Sequence, residues 1–256
     1  MMKTELPRLN ARQVTSPDSP APADPGKRAL LLMLAALPAA CVNTPTNGSR
    51  GNLLPGPATP PTMRPPQVGQ EWVYVVRNVY NHETVDTLTE KVLEVGERIR
   101  IGRVSHRHGR LPDEIQGPWG QIRQDPHWSP TPVFTKPVPL WPLQLKAGWA
   151  SHFREQYEVL DHSGFNYFWL LNMKVEDWEE IDTPAGKFRT LKFGNLINYQ
   201  SDEVVFRLDS NRKETIWLVP EIGRWALRRS SGSYFIEDRG GEMQEDSLEW
   251  ELLSWK

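Results

Sequence analysis

From Gln67 onward no segment long enough for an ordinary helix carries a 3.6-residue apolar period, and run after run alternates with period two. Residues 71–80 (EWVYVVRNVY) put Trp72, Tyr74 and Val76 on one face and Val73, Val75 and Arg77 on the other. Such alternation, rich in β-branched and aromatic residues, is the mark of a pleated, half-buried strand. Residues 87–95 and 98–104 flank Gly96-Glu97 and read as a hairpin, with Ile99 and Ile101 alternating with Arg98, Arg100 and Arg103. Residues 149–160 and 167–181 read as two longer strands. Thr183-Pro184-Ala185-Gly186 is a turn, since Pro suits its second position and Gly its fourth. Residues 188–193 return from it antiparallel. Residues 204–208, 214–219, 224–229, 234–237 and 247–255 complete the set. Hairpin-connected strands of this kind predict one all-β domain over 67–256, either a large curved antiparallel sheet or a barrel-like roll.

The alternation breaks at 111–142, which holds Pro112, Pro118, Pro126, Pro130, Pro132, Pro137, Pro139 and Pro142. Proline cannot donate to a ladder. This stretch therefore reads as a long inserted loop with at most one short strand near 121–124. All eleven tryptophans lie in the domain, most simply as core and rim packing of sheets. Three of them, Trp119, Trp128 and Trp141, fall in the proline-rich insertion. Large aromatics on exposed proline-rich backbone make these three the candidate contact surface for a ligand or partner.

Ahead of the domain, Lys27-Arg28 leads into the apolar run 29–40 and then Cys41, the one cysteine (KRALLLMLAALPAAC). The run is too short for a bilayer span of about 20 residues and suits a signal-peptide core. The layout resembles a bacterial lipoprotein signal, which makes 1–40 a processing segment and Cys41 the lipidation site. Pro38 stands where a lipobox usually has Leu, so plain secretion and a buried free thiol remain alternatives. The polar stretch before Lys27 is long for such a signal, which leaves room for a start downstream of Met1. With no second cysteine, no intramolecular disulfide can form, and acylation would remove a liability in an oxidising compartment. Residues 41–66, rich in Pro with Gly, Thr and Asn, read as a loose, partly polyproline II tether.

The net charge of −2 shows no basic stripe of the sort a nucleic-acid binder needs, and the arginines of 98–110 read as a solvated face. No nucleophile elbow, P-loop, dinucleotide fingerprint or CxxC pair is present. His82-Glu83-Thr84-Val85-Asp86 lacks both the final His and the helix of a zinc motif. His106 and His108 would share one strand face, with Asp113, Glu114 or His127 as a conceivable third partner, yet a polar loop after a strand is the reading preferred. Glu176-Asp177, Glu179-Glu180 and Glu237-Asp238 are neighbours that point to opposite faces. No catalytic residue, metal site or cofactor is therefore expected.

Three stretches together resemble a known family. They are Val68-Gly69-Gln70-Glu71-Trp72, residues 175–192 (VEDWEEIDTPAGKFRTLK) and residues 214–228 (ETIWLVPEIGRWALR). They are similar to the DUF3108 and TapB-like group of exported bacterial β-proteins, in which a Pro-Ala-Gly turn precedes Phe and an aromatic strand enters Pro-x-x-Gly. That resemblance implies a large curved antiparallel sheet in an envelope protein of unknown activity. The expectation is a monomeric, non-enzymatic lipoprotein on the periplasmic side of the outer membrane, since Val42 is not the Asp of inner-membrane retention. Soluble periplasmic or secreted forms are the alternatives. It would bind or scaffold a lipid, glycan or protein of the envelope; an acyl chain would fit if the sheet closed on an apolar interior. A carbohydrate-active hydrolase using acidic residues, or a pilus or secretion-machine subunit, are the competing readings.

Overall fold

The computed structural model describes residues 51–200, 207–236 and 241–256. Cys41, the signal segment, the first part of the tether and the Glu237-Asp238 pair lie outside the described residues. In chain order the strands are β1 (Asn52–Leu54), β2 (Glu71–Asn78), β3 (Thr84–Val95), β4 (Ile99–Ser105), β5 (Gly109–Gln116), β6 (Gln121–Gln124) and β7 (Pro132–Pro139). They continue with β8 (Ala150–Val159), β9 (His162–Thr183), β10 (Gly186–Tyr199), β11 (Arg207–Val219), β12 (Arg224–Ile236), β13 (Gly241–Gln244) and β14 (Leu248–Trp255). A one-turn 3-10 helix at Pro220–Ile222 joins β11 to β12.

From β2 to β12 each strand pairs antiparallel with the next, and β14 sits between β12 and β2. The sheet thereby closes into a twelve-strand antiparallel barrel, and closure leaves the circuit without edges. Of the two forms expected from the sequence, the roll is the one adopted. β1 adds to the far part of β9, with Leu54 opposite Trp178, and β13 adds to the far part of β12. Bulges, among them Trp217-Leu218 against Leu227 and Trp225, bend the strands around the circuit.

The insertion at 111–142 is not a loop. It supplies β5, β6 and β7, three staves of the barrel. Its prolines sit where no ladder N–H is needed. Pro112 and Pro137 fall at register breaks, Pro132 starts β7 and Pro139 ends it. Two more sequence readings change: 207–208 with 214–219, and 224–229 with 234–236, belong to the single strands β11 and β12, while 204–206 and 237 lie outside the described residues.

Apolar residues point inward, in one continuous core that includes Trp72, Tyr74, Val92, Ile101, Phe134, Trp169, Phe193 and Leu218. Exposed outward positions include Lys91, Arg154, Asn172, Lys174 and Lys213. This polarity is the inverse of a lipid-embedded barrel, which carries an outward apolar band. On one side the interior is aromatic. Phe134, Tyr157, Trp169 and Tyr199 meet at centroid distances of 5.2 to 6.2 Å.

Candidate functional site

The β3–β4, β5–β6, β9–β10 and β11–β12 turns and the start of β2 all lie at one end of the barrel. Residues 51–66, expected as free tether, run across that end as a strap. β1 fixes one side of it. The Arg189 guanidinium donates to the Pro55 carbonyl, and Gly56 lies against the Trp178 indole. At the other side the Arg64 N–H donates to the Pro220 carbonyl at 2.8 Å, and the Trp119 indole N–H donates to the Arg64 carbonyl at 2.9 Å. Met63 packs on the core, and the Arg64 guanidinium lies 5.5 Å from the Trp255 ring. Gly223 makes the approach feasible. It adopts φ 70°, and a Cβ there would stand 2.9 Å from the Arg64 carbonyl oxygen.

Beside the strap lies an open groove of about 510 Å³. One wall is Pro60–Met63, the other is the β7–β8 loop with Leu143 and Lys146, and Trp119 and Trp141 form the floor. The two indoles meet edge to face, with centroids 4.9 Å apart and planes at 73°. Gly120, at φ 84°, lets Trp141 lie against its backbone, since a Cβ would come within 2.5 Å of the indole. Leu143 is 60% exposed at the rim.

The heart of the barrel is charged. Arg224 of β12 donates to Glu90 of β3 at 2.7 Å and to Glu114 of β5 at 2.9 Å, and all three side chains are buried. The Trp225 ring lies 3.9 Å from the Arg224 guanidinium. Arg103 donates to Glu90 at 3.1 Å. His127, from the β6–β7 connection, reaches inward and places its ring nitrogens 2.8 Å from Asp125 and 2.8 Å from Glu90. Both contacts are satisfied when both ring nitrogens carry protons. Nearby, Arg228 donates to Glu214 at 2.8 Å. Three guanidiniums and the His127 ring thus face four carboxylates.

Burial alone would raise the Glu90 pKa, but the charge of Arg224, then His127 and Arg103, hold it well below the usual range. Asp125 follows the same pattern: burial opposes ionisation, and the hydrogen bond and charge of His127 prevail. Burial would weaken the proton's hold on Arg224, but Glu114 and Glu90 reverse this and raise its pKa.

This cluster was not foreseen, although a signal for it exists. Glu90 shares a face with Leu88 and Val92, and Arg103 shares one with Ile99 and Ile101. The expectation that Arg103 alternates with these isoleucines on a solvated face is therefore corrected. Its parity is inward and it is 4% exposed. Glu90 and the Pro126 carbonyl, which both accept from its guanidinium, are the partners that make this burial tolerable.

The expected contact surface divides. Trp119 and Trp141 come together in the groove, with Trp119 half-buried and Trp141 buried at 6%. Trp128 is at the opposite end, 7% exposed, with the Arg212 guanidinium 4.4 Å from its ring. The premise of exposed aromatics fails for Trp128 and Trp141, which lie in the β6–β7 and β7–β8 connections but are buried against the barrel. His106 and His108 are exposed near the β4–β5 turn, whereas Glu114 and His127 point into the core, so these residues do not converge. Among the described residues no cluster of three or more His, Cys, Asp and Glu has metal-holding geometry. Glu179, from one acidic pair, is buried, accepts from the Trp217 indole at 2.8 Å and lies 3.5 Å from the Lys192 ammonium.

No family model matches the chain, and no curated protein matches it. Among solved structures it is similar to a candidate lipoprotein from Parabacteroides distasonis, at a TM-score of 0.47 and 12% identity, covering 74% of this chain and 96% of that one. A candidate exported protein with a YmcC-like fold from Bacteroides fragilis gives 0.43 and 11%, covering 76% and 99%. The hypothetical lipoprotein YmcC of Escherichia coli gives 0.41 and 11%, covering 72% and 84%. The resemblance to the DUF3108 and TapB-like group thus rests on its three short motifs.

Proposed function

We propose that this chain is a non-enzymatic envelope lipoprotein, anchored through Cys41 at the periplasmic face of the outer membrane, that binds or scaffolds an envelope component through the groove of Trp119 and Trp141. One observation carries this reading. The middle of the barrel is closely packed, and the larger spaces open at its ends: the groove, and a polar depression of about 360 Å³ among His127, Trp128, Arg212 and Trp250 at the opposite end. The cavity enclosed between Phe134, Trp169, Asn195 and Glu214 measures about 20 Å³, room for about one water. Ligand sites usually need roughly 300 Å³ or more, which the groove of about 510 Å³ provides. An acyl chain inside the barrel, one of the options read from the sequence, would have to cross the charged cluster of Arg224, Glu90 and Glu114. The carboxylates that do converge, Glu90 and Glu114, are closed into the core by Arg224 rather than set across a cleft, which supports the non-enzymatic reading over hydrolysis.

The test is a photo-crosslinking side chain at Leu143, on the groove rim, and another at Val104, 51% exposed on the barrel wall. In the native envelope, Leu143 should give one discrete adduct and Val104 none. Equal labelling at both positions, or none at either, would remove the groove from the account. Cys41→Ser should release the protein from membranes; unchanged membrane retention would refute the anchor separately.

A further inference from the structure

We infer that the groove takes a second proline-rich extended segment, presented by a partner protein and lying alongside the chain's own strap. This deepens the groove reading above and rests on it. The strap shows what this end of the barrel recognises. Residues 55–66 belong to no strand or helix, so their carbonyls are read by donors from outside, as those of a polyproline II segment are. Here Arg189 reads the Pro55 carbonyl and the Trp119 indole N–H reads that of Arg64. Tryptophans add two further contacts, Trp178 against Gly56 and Trp255 with the Arg64 guanidinium 5.5 Å from its ring. Aromatic grooves recognise such segments because the helix is preformed and loses little entropy on docking.

The strap leaves the groove open. It forms only one wall, Pro60–Met63, while Trp119 and Trp141 form a floor continuous with the surface the strap already uses. The Trp141 indole N–H makes no hydrogen bond among the described residues; its edge lies against the Gly120 backbone, where the groove floor begins. The edge-to-face pair at 73° shapes a notch rather than a flat platform, which suits the ridge of a proline helix better than the face of a sugar. Lys146 is the one ionic side chain lining the groove, beside the amides of Gln121 and Gln144. That lining matches a segment of proline rings and free carbonyls and gives little hold for a phosphate.

The probe is a peptide of the strap's own sequence, PGPATPPTMRPP, with a second peptide in which every proline is serine. Each is titrated into the full chain while the indole N–H resonances of Trp119 and Trp141 are followed by NMR. The proline peptide should shift Trp141 saturably, and the serine peptide should bind at least about fivefold more weakly. Trp141→Phe keeps the ring and removes the donor, and should weaken binding roughly fivefold to tenfold. Leu143→Asp, at the exposed rim, should weaken it with the melting temperature unchanged. Absence of saturation, equal binding of both peptides, or a shift caused only by envelope glycan fragments would overturn the inference. So would displacement of the strap, seen as loss of the protected Arg64 amide, because the groove would then hold one segment and not two. A crosslink at Leu143 without peptide binding would leave the groove reading intact and reject this ligand class.

Discussion

The heart of the barrel and its strap end are both built from arginine and tryptophan, with opposite results. In the heart, Arg224 stands 3.9 Å from Trp225 and its guanidinium is closed by Glu90 and Glu114, with no exposure. At the strap end, Arg64 and Arg189 stand 5.5 Å from Trp255 and Trp178, and the polar groups meet main-chain carbonyls near water. A buried charge must be answered completely, so the heart admits one arrangement. A carbonyl read at the surface can be released to water at little cost, so a change at the strap end should be weakly penalised. Strict and lenient pairing are thereby separated along the barrel axis.

The sharpest way to break this contrast is Arg224→Met. It leaves Glu90 and Glu114 buried without their cation, and loss of about 3–5 kcal/mol is expected in urea unfolding. Arg189→Met, at the exposed strap end, should stay within about 0.5 kcal/mol. Equal losses would abolish the distinction between the two regions.

Acid should act on the heart first. In the unfolded chain Glu90 and Asp125 take up protons near pH 4, the usual carboxylate range. In the fold both hold out to lower pH. Their contribution is therefore complete above that range and is lost as pH falls through the lower folded values. Unfolding free energy followed from neutral pH down to about pH 2 should drop, and Asp125→Asn should flatten that drop. A profile unchanged by Asp125→Asn would contradict the assignment.

Gly120→Ala should cost about 2 kcal/mol, through both the positive φ and the contact with Trp141. Trp119→Phe is a milder change than this. It removes one hydrogen bond to the strap, worth about 1 kcal/mol. The effect should appear locally, as faster hydrogen exchange at the Arg64 amide with the heart unaltered.

Much of the barrel is legible in the sequence because period two and the Pro184-Gly186 and Pro220-Gly223 turns are local signals. β5 and β7 are not, because their prolines hide at bulges and strand ends, which depend on the register of neighbouring strands. The strap is equally hidden. Nothing local to 55–66 says that Trp119 and Arg189, far along the chain, will meet its carbonyls, or that the Pro220 carbonyl will meet its Arg64 amide. For the site, the pairing of Trp119 with Trp141 was within reach, whereas the position of Trp128 at the opposite end depends on closure of the barrel. The charged heart is half-legible: the parity of Glu90 and Arg103 announces inward charges, but only the fold shows that Arg224 answers them.

The central claim is that the barrel is solid and acts from its outside. Native mass spectrometry of the protein, extracted from its own envelope under mild conditions, tests it most directly. The account predicts a mass explained by the polypeptide and its covalent anchor, with no lipid held non-covalently in stoichiometric amount. One equivalent of bound lipid that persists after Trp141→Phe and Leu143→Asp would place a ligand inside the barrel and contradict it.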